Sequence, residues 1–261
     1  MAFQVTDAFR EGFDGIASER GAVLAAVYVL LGLVNTVLTQ TALEGAIRTA
    51  VDVYDVPPDA FREAGGIGAL APLSLGVPLP VTAALLLVVA VIGFPVLVVT
   101  IRAFASESPE LLPAEATEGL AKATVLLFLT RLLAGIAIGI GTVLFVIPGL
   151  VLFVFFYFAE QEIALNDAGV VEALKNSLDI TTDNALGVVV LIVALFFLGV
   201  AVGIPLTLLS GVLPTAVGQV LSSTVSAVVT VFGIATVTNA YQQAVADDND
   251  GMDPDAVETT V

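Results

Sequence analysis

Residues 21–43 read GAVLAAVYVLLGLVNTVLTQTAL and contain no Asp, Glu, Lys or Arg. A helix rises about 1.5 Å per residue and the hydrocarbon core of a bilayer is about 30 Å thick, so roughly 20 apolar residues are enough to cross it. Three more charge-free stretches follow, at 64–101, 132–159 and 184–246. The sequence therefore predicts a multi-pass helical membrane protein.

Proline, glycine and charged residues divide these stretches into six predicted transmembrane helices, arranged as three hairpins of an all-α bundle. A single transmembrane domain is predicted over residues 1–246. The acidic stretch 247–261 lacks an apolar pattern and is predicted to be a disordered tail. The six spans are placed at 21–43, 81–102, 121–146, 150–165, 184–208 and 218–244.

Short amphipathic segments are predicted before each hairpin, near 3–18, 113–122 and 168–180. In the first of these, Phe9, Phe13 and Ile16 fall on one face of a helix.

In the segment at 168–180, Val170 or Val171 shares an apolar side with Leu174 and Leu178. This segment is predicted to be a helix at the membrane interface. Residues 66–80 are apolar but rich in Gly and Pro, which predicts a shallow or re-entrant segment, because irregular backbone is not tolerated where it faces lipid.

The formal charge is −17, from 25 acidic and 8 basic residues, and the acidic excess occurs in every polar segment. At about 1 M salt the screening length falls to about 3 Å, so a dense carboxylate surface no longer repels itself. This composition favours a protein of an extremely halophilic archaeon; the alternative is an acidic protein that binds a basic partner. Without a basic patch, nucleic-acid binding is not expected.

The basic residues also predict an orientation. Because cytoplasmic loops carry the excess of Lys and Arg, both termini are placed in the cytoplasm, in the cell (plasma) membrane. Arg48 and Arg62 then fall in the outer loops. The predicted inner ends hold Arg10, Arg20, Arg102, Lys122 and Lys175.

Arg131 lies about ten residues inside the third predicted span, at a depth where a charge normally has a partner. In an antiparallel hairpin that turns at Pro148, Glu160 and Glu162 lie at a similar depth. The sequence therefore predicts a buried ion pair of Arg131 with Glu160 or Glu162. Such a pair is either a structural clamp or part of an ion or substrate site, and snorkelling of Arg131 to the headgroups is a further alternative.

Small and hydroxyl-bearing residues supply weaker signals. Gly135 and Gly139, and likewise Gly199 and Gly203, have the spacing that lets helices approach closely. A polar stripe in the sixth span either lines a hydrated passage or supplies hydrogen bonds between helices. Its members are Gln219, Ser222, Ser223, Ser226 and Thr230.

The segment 147–184 carries a family resemblance. Pro148 and Gly149 form a predicted tight turn at the start of a span rich in aromatic residues. A helix with Ala173, Leu174 and Ser177 comes next, and the polar Asn184 begins the following span. This order resembles the group of membrane proteins named for the membrane domain of glycerophosphoryl diester phosphodiesterase, which includes haloarchaeal members of unknown function.

The resemblance implies a helical integral membrane protein, in which these six positions are architectural. It implies no activity, since the phosphodiesterase reaction of the named enzymes belongs to a separate soluble domain.

The chain contains no His and no Cys, which excludes the common zinc sites and the Ser–His and Cys–His relays. No cofactor, metal or catalytic residue is predicted. Three hypotheses follow: a non-catalytic membrane component or scaffold, a transporter or channel for an ion, small solute or lipid with a site near Arg131 and Glu160, and an intramembrane hydrolase that uses carboxylates and a metal. The expected partners are the lipid bilayer and other membrane proteins or a second copy of the chain.

Overall fold

The computed structural model describes residues 4–57, 61, 65–108 and 110–250, with the side chains of 247–250 left out. These residues form helices and no strand, and six helical segments are long and apolar enough to cross a membrane. The predicted all-α membrane fold is thus confirmed. The helices are α1 (Val5–Ala17), α2 (Glu19–Tyr54), α3 (Ile67–Leu70), α4 (Leu79–Ala105), α5 (Leu120–Leu144), α6 (Val146–Phe155), α7 (Ala159–Asn166), α8 (Val170–Asp183), α9 (Ala185–Val212) and α10 (Thr215–Asp250).

Several bounds differ from the predicted ones. Helix α2 continues to Tyr54 instead of ending at residue 43, so Glu44 and Arg48 form an i, i+4 ion pair within a helix. Helix α10 continues to Asp250, which makes 247–250 helical; the rest of the predicted disordered tail lies outside the described residues. Pro95 and Pro205 lie inside helices α4 and α9, which run continuously past them.

Residue contacts divide the chain into two compact units, a subdivision that the sequence does not reveal. The first unit comprises Met1–Ala22, Phe94–Leu198 and Val231–Val261, and the second comprises Val23–Gly93 and Gly199–Thr230. In the first unit, one apolar core groups buried residues of α4, α5, α7 and α8, including Ile101, Leu127 and Ile163. Another groups residues of α1, α8, α9 and α10 around Phe158 and Tyr241.

In the second unit, the polar stripe of the sixth span joins α10 to α2. The side chain of Gln40 donates a hydrogen bond to Gln219, and the hydroxyl of Thr36 donates to that of Ser223 at 3.1 Å. Gly32 lies against Ser223, where the missing side chain lets the two helices approach. These contacts match the interhelical alternative for the stripe.

The Gly- and Pro-rich segment 66–80 consists of the short helix α3 followed by irregular backbone that ends at Pro78. The N–H of Leu73 donates to the side-chain oxygen of Gln40 at 2.9 Å, and the N–H of Leu75 donates to the hydroxyl of Thr41 at 3.1 Å. Side chains of helix α2 thus accept hydrogen bonds from N–H groups of non-helical backbone. Irregular backbone next to lipid is tolerated only when its polar groups find such partners within the protein.

The predicted turn at Pro148 and Gly149 is wrong by three residues. Helix α5 ends at Leu144, Phe145 is extended, and α6 begins at Val146. Pro148 therefore lies in the first turn of α6, where its missing N–H is not needed because the first N–H groups of a helix have no acceptor within it. Gly149 faces α5, and its backbone lies close to that of Gly141.

The predicted fourth span, 150–165, is two helices instead of one. Helix α6 ends at Phe155 and α7 begins at Ala159, with a break at 156–158. Asp167, in the left-handed conformation at a φ of 50°, ends α7. Helix α8 begins after Gly169, whose N–H donates to the Glu172 carboxylate at 3.1 Å.

The amphipathic segments are partly as predicted. Helices α1 and α8 form, but 113–122 contains only one turn of 3₁₀ helix, at Ala114–Thr117, before α5 begins. On the predicted apolar side of α8, Val171 and Leu178 are exposed, while Val170 and Leu174 are half-buried. The buried residues of the helix are Ala173, Ser177, Ile180 and Thr181.

Replacing Gly149 by Ala should destabilise the protein, because a Cβ there would lie 2.7 Å from the backbone nitrogen and 2.8 Å from the Cα of Thr142. Helices α5 and α6 would have to separate, and such overpacking costs about 1–3 kcal/mol. The measurement is the melting temperature in detergent micelles, with Gly93→Ala in α4 as the control, since nothing lies within 4 Å of a Cβ at that position. Equal melting temperatures for the two variants would contradict the close packing of α5 on α6.

Candidate functional site

Helix α7 carries two carboxylates that point in different directions. Glu160 and Glu162 are two residues apart, which turns their side chains about 200° around a helix of 3.6 residues per turn. One of them therefore faces away from any neighbour that the other contacts. This spacing explains why the structure brings Arg131 to only one of the two predicted partners.

Arg131 and Glu160 form a two-point ion pair between α5 and α7. The Nε of Arg131 donates to one carboxylate oxygen of Glu160 at 2.5 Å, and a terminal guanidinium nitrogen donates to the other at 2.9 Å. The guanidinium also lies over the ring of Phe94, 5.8 Å from its centre. Bidentate geometry of this kind holds both orientation and distance, so the pair fixes the rotation of α7 relative to α5.

The pair is not enclosed by the described protein, in contrast to the buried pair predicted. The side chains of Arg131 and Glu160 are 47% and 30% exposed, although both belong to segments long and apolar enough to span a membrane.

Glu162 is the buried carboxylate of α7, with 2% of its surface exposed. One oxygen accepts a hydrogen bond from the Tyr241 hydroxyl on α10 at 2.6 Å, and the other accepts from the Asn176 amide on α8 at 2.8 Å. The Tyr241 oxygen in turn accepts from the amide of Asn166 at 2.7 Å. Three helices therefore meet at one carboxylate through neutral donors.

Ser177 bridges the break between α6 and α7. Its hydroxyl donates to the carbonyl of Phe155 at 2.8 Å and accepts from the N–H of Phe158 at 3.1 Å. One side chain of α8 thus satisfies a backbone acceptor on one side of the break and a backbone donor on the other. Ser177 is fully buried, so water does not compete for these groups.

The other architectural positions lie around this contact. Ala173 is fully buried one turn before Ser177, while Leu174 is only half-buried. Asn184 is buried at the end of α8, where its amide donates to the carbonyl of Ile180 at 3.1 Å. The structure thus places Ala173, Ser177 and Asn184 at packing and capping positions.

Two arginines hold helix ends through backbone carbonyls. Arg20 donates to four carbonyls at and beyond the end of α4, including those of Ser106 at 3.1 Å and Glu110 at 2.6 Å. Arg102 donates to the carbonyl of Ala164 at 2.5 Å, near the end of α7, and forms an ion pair with Asp167. A cation is favourable at both places because the last carbonyls of a helix accept no hydrogen bond from within the helix, so an arginine can donate to them.

An open cleft of about 500 Å³ lies beside Arg102 in the first unit. Arg131, Glu160 and Glu162 do not line it. Its charged lining residues are Arg102, Glu115, Glu118 and Asp167.

A family model described as a domain of unknown function (DUF7847) matches residues 3–244. The chain belongs to this family. No curated protein and no solved structure matches the chain. The family description names no substrate or reaction, so the chemistry of the site has to be argued from its own residues.

Sequence reasoning missed the partners of Glu162. Tyr241 is 79 residues away in the chain, and Asn176 looks like an ordinary polar residue within α8. A signal was available: Tyr241 is an aromatic residue with a hydroxyl near the end of the last apolar stretch, and a buried tyrosine hydroxyl normally has a hydrogen-bond partner.

Replacing Ser177 by Ala should leave the carbonyl of Phe155 and the N–H of Phe158 without their partner, at about 1–3 kcal/mol for each buried group. Loss of thermal stability in detergent is the measurement. Thr182→Ala is the matched control on the same helix, since its exposed hydroxyl bonds only the carbonyl of Leu178. A loss no larger for Ser177→Ala than for this control would show that the bridge is not needed.

Proposed function

We propose that this chain is a non-catalytic component of a cell membrane, a scaffold or assembly subunit that acts through its surfaces. The observation that carries the proposal is the use of charged and polar side chains within the first unit. Arg131 and Glu160 join α5 to α7, Glu162 and Tyr241 join α7 to α10, and Ser177 joins α8 to the break. Each of these groups stabilises the packing of helices.

A transporter or channel is the second candidate. The exposure of Arg131 and Glu160 within spanning segments favours it, because a charged pair at that depth is expected to face water or a polar partner and not hydrocarbon. The cleft beside Arg102 offers polar surface to a solute, but it is lined by other residues.

The proposed partners are the lipid bilayer and either other membrane proteins or a second copy of the chain. Gly135 and Gly139 support a helix partner, because nothing lies within 4 Å of a Cβ at either position. A net charge of −17 argues against nucleic acid as a partner.

We also propose the plasma membrane of a halophilic archaeon as the location, with both termini in the cytoplasm. The acidic composition and the distribution of Lys and Arg support this placement. The resemblance to the membrane-domain group of glycerophosphoryl diester phosphodiesterase stays a proposal, supported by the sequence pattern at 147–184.

A flux assay in proteoliposomes at high KCl tests the function, with ions and fluorescent lipids as cargo. A scaffold should give no flux above empty liposomes, for the wild type and for Arg131→Leu. The variant should lose stability, because Glu160 keeps its charge without the arginine. Flux that requires Arg131 would contradict the proposal and favour the transporter.

The double variant Arg131→Leu/Glu160→Leu is the matched control for stability. It removes both charges, so it should regain much of the stability that Arg131→Leu loses. A double variant as unstable as the sum of the two single variants would mean that the two charges do not stabilise one another.

The orientation is testable with single cysteines, because the natural chain contains none. Thr117→Cys lies in the connection between α4 and α5, and Thr215→Cys lies at the turn between α9 and α10; both positions are exposed. In intact cells a membrane-impermeant maleimide should label Cys at 215 and leave Cys at 117 unlabelled until the cells are lysed. The reverse pattern would place both termini outside.

A further inference from the structure

The Arg131–Glu160 pair keeps charged surface open within two membrane-spanning segments. The side chains of Arg131 and Glu160 are 47% and 30% exposed, and each belongs to a segment long and apolar enough to cross a membrane. Arg131 lies near the middle of α5 (Leu120–Leu144). Charged side chains at such depth are costly in hydrocarbon and normally face protein or water. The exposed side of the pair therefore requires a polar neighbour.

Small and apolar residues surround Arg131 on the same side of α5. Gly135 and Gly139 come four and eight residues later, which turns them only about 40° and 80° around the helix. Both are exposed, and nothing lies within 4 Å of a Cβ at either position. The exposed side chains of Phe128 and Leu132 complete this surface, which we call the open face of α5. Its two glycines allow another helix to approach closely.

Arg131 and Glu160 lie side by side at nearly the same depth. The chain reverses at Phe145, which is 14 residues after Arg131 and 15 residues before Glu160. The direction from the positive group to the negative group therefore runs along the membrane plane. Copies of one chain insert in the same orientation, so a symmetric dimer has its twofold axis perpendicular to that plane. Rotation about such an axis keeps depth and reverses direction within the plane, which places a positive group opposite a negative one.

We propose that the open face of α5, with the exposed side of the Arg131–Glu160 pair, binds a second copy of the same chain. Arg131 of each copy then faces Glu160 of the other, and four charges of alternating sign meet at one depth. A carboxylate has about four acceptor positions, so Glu160 can accept from both guanidinium groups. The inference rests on the proposed function, in which a second copy is one of the candidate partners.

Charge complementarity favours a second copy over the other occupants of this face. Lipid tails offer no polar group to the exposed guanidinium and carboxylate. A different protein would have to carry one charge of each sign side by side at the same depth. A second copy carries them by construction, because the surface is its own complement.

Disulfide formation between single cysteines tests the contact, because the natural chain contains no Cys. Oxidation of native membranes that contain the full-length Gly135→Cys variant should give a disulfide-linked dimer, since the bond requires Cα atoms within about 7 Å of each other. Gly139→Cys should do the same. Leu133→Cys is the matched control. Leu133 is also exposed on α5 but is turned about 200° from Gly135, so this variant should stay monomeric.

The charge-swapped variant Arg131→Glu/Glu160→Arg tests the pairing between copies. It keeps a pair of opposite charges within each copy and between two swapped copies. A dimer of one wild-type and one swapped copy instead sets like charges against each other, which is unfavourable. With Gly135→Cys in both chains and tags of different length, co-expressing cells should give both like dimers. The mixed dimer should be at least about tenfold scarcer than chance pairing gives.

The proposal is overturned if Gly135→Cys and Gly139→Cys give no more linked dimer than Leu133→Cys, because lipid or another protein then covers the face. Mixed dimers as abundant as chance pairing gives would also overturn it, because the charges then do not meet across the interface. If the swapped chain does not fold, Arg131→Leu/Glu160→Leu takes its place. This variant should lower the yield of linked dimer, and an unchanged yield would overturn the charge pairing.

The flux assay separates this inference from the scaffold role. A monomer that gives no flux would overturn the dimer and leave the scaffold role in place. A linked dimer that transports its cargo would support the dimer and overturn the scaffold role.

Discussion

Every other feature of this protein depends on one constraint: a polar backbone group placed in hydrocarbon must find its partner inside the protein. Continuous helices meet the constraint on their own, and most of the chain is built that way. Two departures among the described residues are the break between α6 and α7 and the irregular stretch after α3. In each, a side chain from another helix supplies the missing partner: Ser177 at the break, and Gln40 and Thr41 beside the irregular stretch.

The same constraint explains where the charges are. Arg20 and Arg102 lie at helix ends, where unused carbonyls accept their hydrogen bonds. Arg131 lies far from any helix end and has a carboxylate opposite it instead. Glu162 accepts hydrogen bonds from two neutral side chains, Tyr241 on α10 and Asn176 on α8. Each of these charged side chains therefore stabilises a contact at a helix end or between helices. The Arg131–Glu160 pair is also partly exposed, so an activity would have to use its exposed side.

The sequence predicts the number of spans and the pairing of Arg131 with a carboxylate, because both follow from length and periodicity alone. From the predicted turn at Pro148, Arg131 is 17 residues before and Glu160 12 residues after. From Phe145, where the chain reverses, the separations are 14 and 15 residues, so the observed turn brings the two side chains to nearly the same depth. The break at 156–158 was not predictable, because Phe156, Tyr157 and Phe158 carry no helix-breaking signal. The partner that makes the break tolerable lies in the next helix. In α8, Ala173 and Ser177, two of the positions that the resemblance implies are architectural, are buried, while Val171 and Leu178 of the predicted apolar side are exposed.

The bridge from Ser177 has a consequence for the order of biosynthesis. The chain emerges from the ribosome with α6 and α7 before α8, so the backbone groups at the break lack their partner until about twenty further residues have been made. The segment Val146–Asn166 is also the least hydrophobic of the six, at a mean hydropathy of 1.6 against 3.0 and 3.1 for α4 and α9. The packing of the break between α6 and α7 is therefore complete only once α8 has been made and Ser177 lies against it.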